Sequence, residues 1–204
     1  MKQAFLTQLE DGEIASSQNA AVALMRLQQI ASGWLAMDDG SMTILKNARI
    51  EALREIADAY EGEKIIVWAR FNDDIRIICE TFGEEAVSYF GDTETEDRET
   101  AVASFLDPDN KVRFFVSNPR AGGVGLNLQG NCSTVVYYSN SFSALDRWQS
   151  EDRSHRIGTH KNVTYIDMIA KGTVDRKILG VLRNKKEVAA LALGDFKRML
   201  EDES

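Results

Sequence analysis

From Glu63 onward, short apolar runs rich in β-branched and aromatic residues alternate with stretches of helical periodicity, and this constrains the fold more than any other feature of the chain. The runs "KIIVWA", "AVSYF", "VRFFVS", "STVVYYS" and "NVTYIDMI" have almost no polar alternation, as expected of strands buried on both faces. Between them, "DDIRIICETFG", "ETEDRETAVASFLD" and "SALDRWQSEDRSHR" space their apolar residues as helices do. The second of these helices is expected to open on a capping box, with Thr93 as cap and Glu96 three residues on. Strands alternating with helices predict an α/β fold: a parallel sheet with helices on both faces and ligands outside the carboxyl ends of the strands. "TVDRKILGVLRNKKEVAALAL" predicts a closing helix with Asp175 near its positive end.

The chain begins differently. "NAAVALMRLQQI" places Val22, Met25, Leu27 and Ile30 at near-helical spacing, and "LKNARIEALREIADAY" repeats the pattern with Ile50, Leu53, Ile56 and Ala57. The loop-like stretch Ala36 to Thr43 separates them. The expected division is a helical linker over 1–46 and an α/β lobe over 47–204. With 204 residues, 44% of them apolar, such a lobe has material for a core. No apolar run approaches the roughly 20 residues that cross a bilayer, and the N-terminus lacks the layout of a signal peptide. No membrane partner is expected. Cys79 and Cys132 stand apart, without a C-x-x-C pair, and read as reduced core thiols. A zinc site built from them with His155 and His160 is the weaker alternative, and no metal is expected.

Charge is segregated along the chain. The formal charge is −8 overall; nine acids face one base between Glu84 and Asp109, whereas ten bases face four acids between Arg147 and Lys186. Each run can be a solvated helix face, but a basic stretch on an acidic chain is also what a phosphate-contacting surface requires. Two loops sharpen the second possibility. After "VRFFVS" comes "NPRAGGVGLNLQGN", with Gly122, Gly123 and Gly125 at the end of a strand, where backbone amides can approach a phosphate. The chain has no G-K-[ST], so this is not a P-loop, and the spacing is not that of a dinucleotide fingerprint. In "QSEDRSHRIG", Arg153 and Arg156 lie three apart and share a helix face, able to converge on one anion. The spacing alone leaves open a pairing with Glu151 and Asp152 as surface salt bridges.

Taken together, "SNPRAGGVGLNLQGNCSTVVYYSNSFSALDRWQSEDRSHRIG" closely resembles the second RecA-like lobe of Swi/Snf-type ATPases, double-stranded-DNA translocases of helicase superfamily two. In that resemblance Ser117 to Leu128 is motif V, Tyr138 to Ser143 the adjoining segment, and Gln149 to Gly158 motif VI. "KIIVWARF" resembles motif IV, and "YFGDTETEDRETAVASF" the tyrosine-x-glycine strand end with its arginine-bearing helix. "VTYIDMIAKGTVDRKIL" resembles the strand and helix that close the lobe. "LMRLQQIASGWL" resembles the helix leading into it in compact bacterial and phage members. The chain departs from the family at Thr159, where R-I-G-Q is usual.

The resemblance implies that Arg153 and Arg156, with Gln149, act on a nucleotide held elsewhere: the arginines reach across a cleft to an ATP whose loop and magnesium-binding acids belong to a first lobe. Gly123, Gly125, His155 and Asp152 would lie at that interface and couple it to DNA grip. Ser117, Arg120, Gly122, Asn127, Ser139 and Asn140 would contact the backbone of double-stranded DNA. The implied partners are duplex DNA, the first lobe and a DNA-bound protein complex. The implied location is the cytoplasm of a bacterial or phage-infected cell, or the nucleus if the source is eukaryotic. A non-enzymatic module that binds DNA or a motor, and a different superfamily-two motor such as an RNA helicase, are the alternatives.

Overall fold

The structure is a computed structural model that describes residues 17–91, 93–121, 128, 132–154 and 162–185. The chain divides into two compact units, 1–47 and 48–204.

In the first unit, helix α1 (Ser17–Ser32) ends on Gly33, whose φ of 89° is left-handed and suits glycine. A Cβ at Gly33 would sit 2.5 Å from Asn47 Cγ, so the position excludes other residues on sterics as well. The stretch expected to be a plain loop is instead a hairpin. Strands β1 (Trp34–Ala36) and β2 (Met42–Ile44) pair antiparallel, Trp34 opposite Ile44 and Ala36 opposite Met42. Their turn is held by Met37 N–H to Ser41 O at 2.8 Å, and by Asp39, whose carboxylate accepts both the N–H and the hydroxyl of Ser41. Arg26 of α1 reaches Asp38 at 2.8 Å, tying helix to turn.

In the second unit, α2 (Ala48–Ala59) precedes β3 (Lys64–Trp68), α3 (Asn72–Phe82), β4 (Ala86–Tyr89), α4 (Thr95–Leu106), β5 (Phe114–Ser117), β6 (Cys132–Tyr137), α5 (Ala144–Ser154) and β7 (Thr164–Asp167). Helix α6 covers 175–185. The five strands form one parallel sheet in the order β4-β5-β3-β6-β7, the predicted α/β architecture. Alternate residues of β3 serve opposite layers. Ile65 and Val67 join Phe114, Val116 and Val136 beneath Ile50, Leu53 and Ala57 of α2 and Ile75 and Ile78 of α3. Ile66 and Trp68 join Phe115, Val135 and Tyr137 beneath Phe105 of α4. Both faces of the central strand are buried, which is why its sequence shows no polar alternation.

Two local expectations change. Helix α4 begins at Thr95 with Glu94 as its cap and no side-chain capping bond. The Thr93 hydroxyl turns back to accept the Phe90 N–H at 3.2 Å, so the expected capping box does not form; a short hydroxyl side chain has competing local acceptors and donors. Asp175 does open α6, but beyond the helix dipole it accepts the Ala170 N–H at 2.9 Å and pairs with Arg49. Arg49 in turn donates to Tyr138 O at 2.7 Å, so α2, the end of β6 and α6 share one buried ion pair.

Candidate functional site

β3 lies at the centre of the sheet, and the chain leaves it toward β4 and β5 on one side before crossing back to β6 on the other. The loops beyond β3, β5 and β6 therefore part at the carboxyl ends of these strands, where open parallel sheets bind ligands. A cleft of about 160 Å³ lies there, lined by Arg70, Asn118, Arg120, Ser139 to Ser141, Ser143, Asp146 and Arg147 among others.

Arg70 lies two residues beyond the end of β3 and is fixed by its backbone. Its N–H donates to Ser139 Oγ at 2.8 Å, and its carbonyl accepts from Asn118 Nδ2 at 2.7 Å. Its guanidinium stacks over Phe71, 5.0 Å from the ring centroid. Nη1 is buried with no hydrogen-bond partner among the described residues. Burial, and then the charge of Arg120, pull the Arg70 pKa down, partly offset by Asp74. The Ser139 hydroxyl in turn donates to Asp74, which is fully buried, at 2.6 Å.

Across the cleft, Asn118 and Pro119 turn the chain out of β5, and Asn118 Oδ1 accepts the Arg120 N–H at 2.9 Å, an Asx turn. The Arg120 side chain is 76% exposed and meets Asp146 at 2.9 Å. Asp146 stands in the first turn of α5. Its N–H donates to the Ser143 hydroxyl at 3.2 Å, the cap that starts this helix; its carboxylate also accepts from Ser141 Oγ at 3.4 Å.

Arg147 forms the floor. Its guanidinium lies 3.4 Å from the Tyr137 ring centroid, binds Asp167 through Nη1 at 2.5 Å and Nη2 at 3.3 Å, and takes Glu151 at 2.7 Å. Burial opposes its charge, but the Asp167 hydrogen bonds and neighbouring groups outweigh it and raise the pKa. Tyr137 is driven upward by burial, and its hydroxyl lies 2.7 Å from Ser150 Oγ. The basic run beginning at Arg147 is thus not uniformly a solvated or ligand-facing surface: its first member is spent on internal acids.

The residues singled out from sequence separate into groups. Arg120, Ser139 and Asn140 come together on the cleft. Ser139, however, uses its hydroxyl on Asp74 and the Arg70 N–H, and Asn140 Nδ2 donates to Asp167 at 2.9 Å. Ser117 is fully buried, its hydroxyl donating to Tyr89 O at 2.5 Å; its side chain joins two strands and presents no surface to DNA. Gln149 and Asp152 are exposed on α5. Glu151, one of the two acids available to the arginine pair, is already held by Arg147. The Arg153 side chain, with Arg156, His155, Gly122, Gly123, Gly125 and Asn127, lies outside the described residues. Arg70 and Asp146 were not singled out from sequence; a basic residue two positions beyond a wholly buried strand was the available signal for Arg70.

A central parallel sheet with a polar cleft at its switch point is the architecture of a ligand-binding α/β lobe. Residues 48–158 match the helicase conserved C-terminal domain, and the chain belongs to that family. Within it the chain is of the Swi/Snf type. It is similar to the C-terminal part of the Fun30 ATPase domain, with TM-score 0.59 at 26% identity over 67% of this chain and 46% of that one. The fold is also that of the Sulfolobus solfataricus SWI2/SNF2 ATPase C-terminal domain, with TM-score 0.62 at 22% identity over 90% of this chain and 78% of that one. An uncharacterized ATP-dependent helicase of Mycoplasma pneumoniae is 29% identical over 92% of this chain and 18% of its own length. The chain spans between 8% and 20% of the curated relatives it matches, which are described as ATP-dependent helicases, chromatin-remodeling proteins and chromatin-remodeling ATPases. No helix among the described residues is long and apolar enough to cross a membrane.

Proposed function

We propose that this chain is the second lobe of an ATP-driven motor that tracks double-stranded DNA, active only when joined to a first RecA-like lobe. The observation that carries this is the cleft at the carboxyl ends of β3, β5 and β6, where guanidinium and hydroxyl groups converge in a member of the helicase C-terminal family. Such groups position a phosphate backbone and carry no sequence information. Toward the other lobe the chain offers Arg153 and Arg156, supported by Gln149, with Gly123, Gly125, His155 and Asp152 coupling nucleotide state to DNA. ATP with magnesium, held on the first lobe, supplies the phosphoryl chemistry. The arginines of this chain stabilise the charge that develops there, a contribution commonly worth 10³ or more in kcat.

The test is DNA-stimulated ATPase activity of this chain alone, and then mixed with a matching first lobe, alongside an Arg153→Ala/Arg156→Ala double variant. Activity confined to the mixture and lost in the variant supports the proposal. Lobes that bind each other and DNA without any hydrolysis would favour a non-enzymatic module, and preference for RNA over duplex DNA a different motor.

A further inference from the structure

Within the cleft, two guanidinium groups and one carboxylate stand in an unequal arrangement. Arg70 is held rigidly at both backbone hydrogen-bonding groups, and its Nη1, though buried, is without a partner among the described residues. Arg70 and Arg120 both line the cleft, so an anion entering it meets two guanidinium groups whose forked donors suit phosphate oxygens. Arg120 is the opposite: exposed, mounted on a turn, and neutralised by one contact with Asp146. Asp146 is only 15% exposed and is fastened in the first turn of α5 by Ser143 and Ser141, where a helix favours negative charge. Of the pair, Arg120 is the part free to move.

From this arrangement, and resting on the duplex-DNA assignment above, we infer that Arg70 and Arg120 form a seat for a single backbone phosphate, with Asp146 as the resident anion that the phosphate displaces from Arg120. In the empty cleft Asp146 occupies Arg120 and keeps the seat electrostatically quiet. When a phosphate enters, Arg120 swings from the carboxylate to the phosphate oxygens, beside the Arg70 guanidinium that lines the same cleft. Asp146 stays behind on Ser141 and the helix terminus. The carboxylate thereby weakens the grip of the lobe on DNA, as a motor that must release and rebind its track requires.

The test measures binding of the 204-residue chain to a fluorescein-labelled duplex across a salt titration. Arg70→Ala is expected to weaken binding about tenfold and to lower the slope of log K against log salt by about one. Asp146→Asn, nearly isosteric, is expected to tighten binding several-fold, and to have no such effect in an Arg120→Ala background. Circular dichroism identifies an unfolded Arg70→Ala, in which case the Asp146→Asn cycle decides alone. If the chain binds duplex DNA but neither Arg70→Ala nor Asp146→Asn alters affinity or salt slope, the seat is wrong while the DNA assignment stands. If neither wild type nor Asp146→Asn binds duplex DNA, the DNA assignment falls and the seat with it. Displacement of the duplex by free ATP in wild type but not in Arg70→Ala would reassign the seat to a nucleotide phosphate.

Discussion

Arg147 stacks on Tyr137 at 3.4 Å and holds Asp167 at 2.5 Å, so one guanidinium fastens α5 to both β6 and β7. Glu151, one turn further along α5, closes the same network. This sets the posture of α5, the helix on which Arg153 is carried.

Removing one partner of a largely buried ion pair strands the other. Arg147→Met is therefore expected to cost about 3–5 kcal/mol, read as a lowered urea midpoint, because Asp167 keeps its charge and loses two hydrogen bonds. Arg147→Met/Asp167→Asn should recover a substantial part of that loss. If the single variant is as stable as wild type, the network does not anchor α5.

Ser139 separates a structural role from a nucleic-acid one. It donates to the buried Asp74 at 2.6 Å and accepts from the Arg70 N–H at 2.8 Å. Ser139→Ala removes one hydrogen bond from each of these buried groups and should cost about 2 kcal/mol of stability. Duplex affinity of the folded variant should change little. Unchanged stability with lost affinity would restore Ser139 to the DNA contact implied by the family resemblance.

Arg98 is the only base in the acidic stretch from Glu84 to Asp109, yet its Nη2 donates to two carbonyls, Phe90 O at 3.1 Å and Gly91 O at 2.9 Å. Its guanidinium also stacks over Tyr89. Arg98→Ala should release the turn between β4 and α4, with faster proteolysis there and a loss of about 1–2 kcal/mol. Lys in its place keeps the charge without the fork and should rescue only part.

The sheet was legible because β3 and β6 are buried on both faces, so "KIIVW" and "TVVYY" carry unbroken apolar runs that few other environments tolerate. The hairpin was not: strands of three residues are too short to show a period, and the Asp-Gly-Ser turn between them resembles any loop. The capping box failed because Thr93 had a nearer backbone partner in Phe90. In the cleft, Arg120 was legible beside the glycine-rich loop. The pairings of Arg147 with Asp167 and of Ser139 with Asp74 span 20 and 65 residues and arise only once the sheet aligns its strand ends.

The two cysteines are expected to make stability fall at alkaline pH. Burial, first among the causes, pushes the Cys79 thiol up to about 12 and the Cys132 thiol up to about 11, against about 8.5 for an unfolded thiol. A raised folded pKa means that the native state binds the proton more tightly, so the stabilisation is complete below about pH 8.5 and is lost as pH rises through 11 and 12. Each thiol contributes up to about 1.4 kcal/mol per pH unit within that window, and Tyr165, also raised to about 12 by burial, adds to the decline above pH 10 or so. Urea midpoints should be level near neutrality and fall steeply between about pH 9 and 10.5. In Cys79→Ala/Cys132→Ala the baseline is lower, because cavities replace the side chains, but the decline should be shallower. Both thiols should also resist alkylation in the native protein at pH 8 and react on unfolding, since a thiolate is the attacking species. Equal alkaline slopes in wild type and the double variant would mean that the native thiols titrate as free ones do.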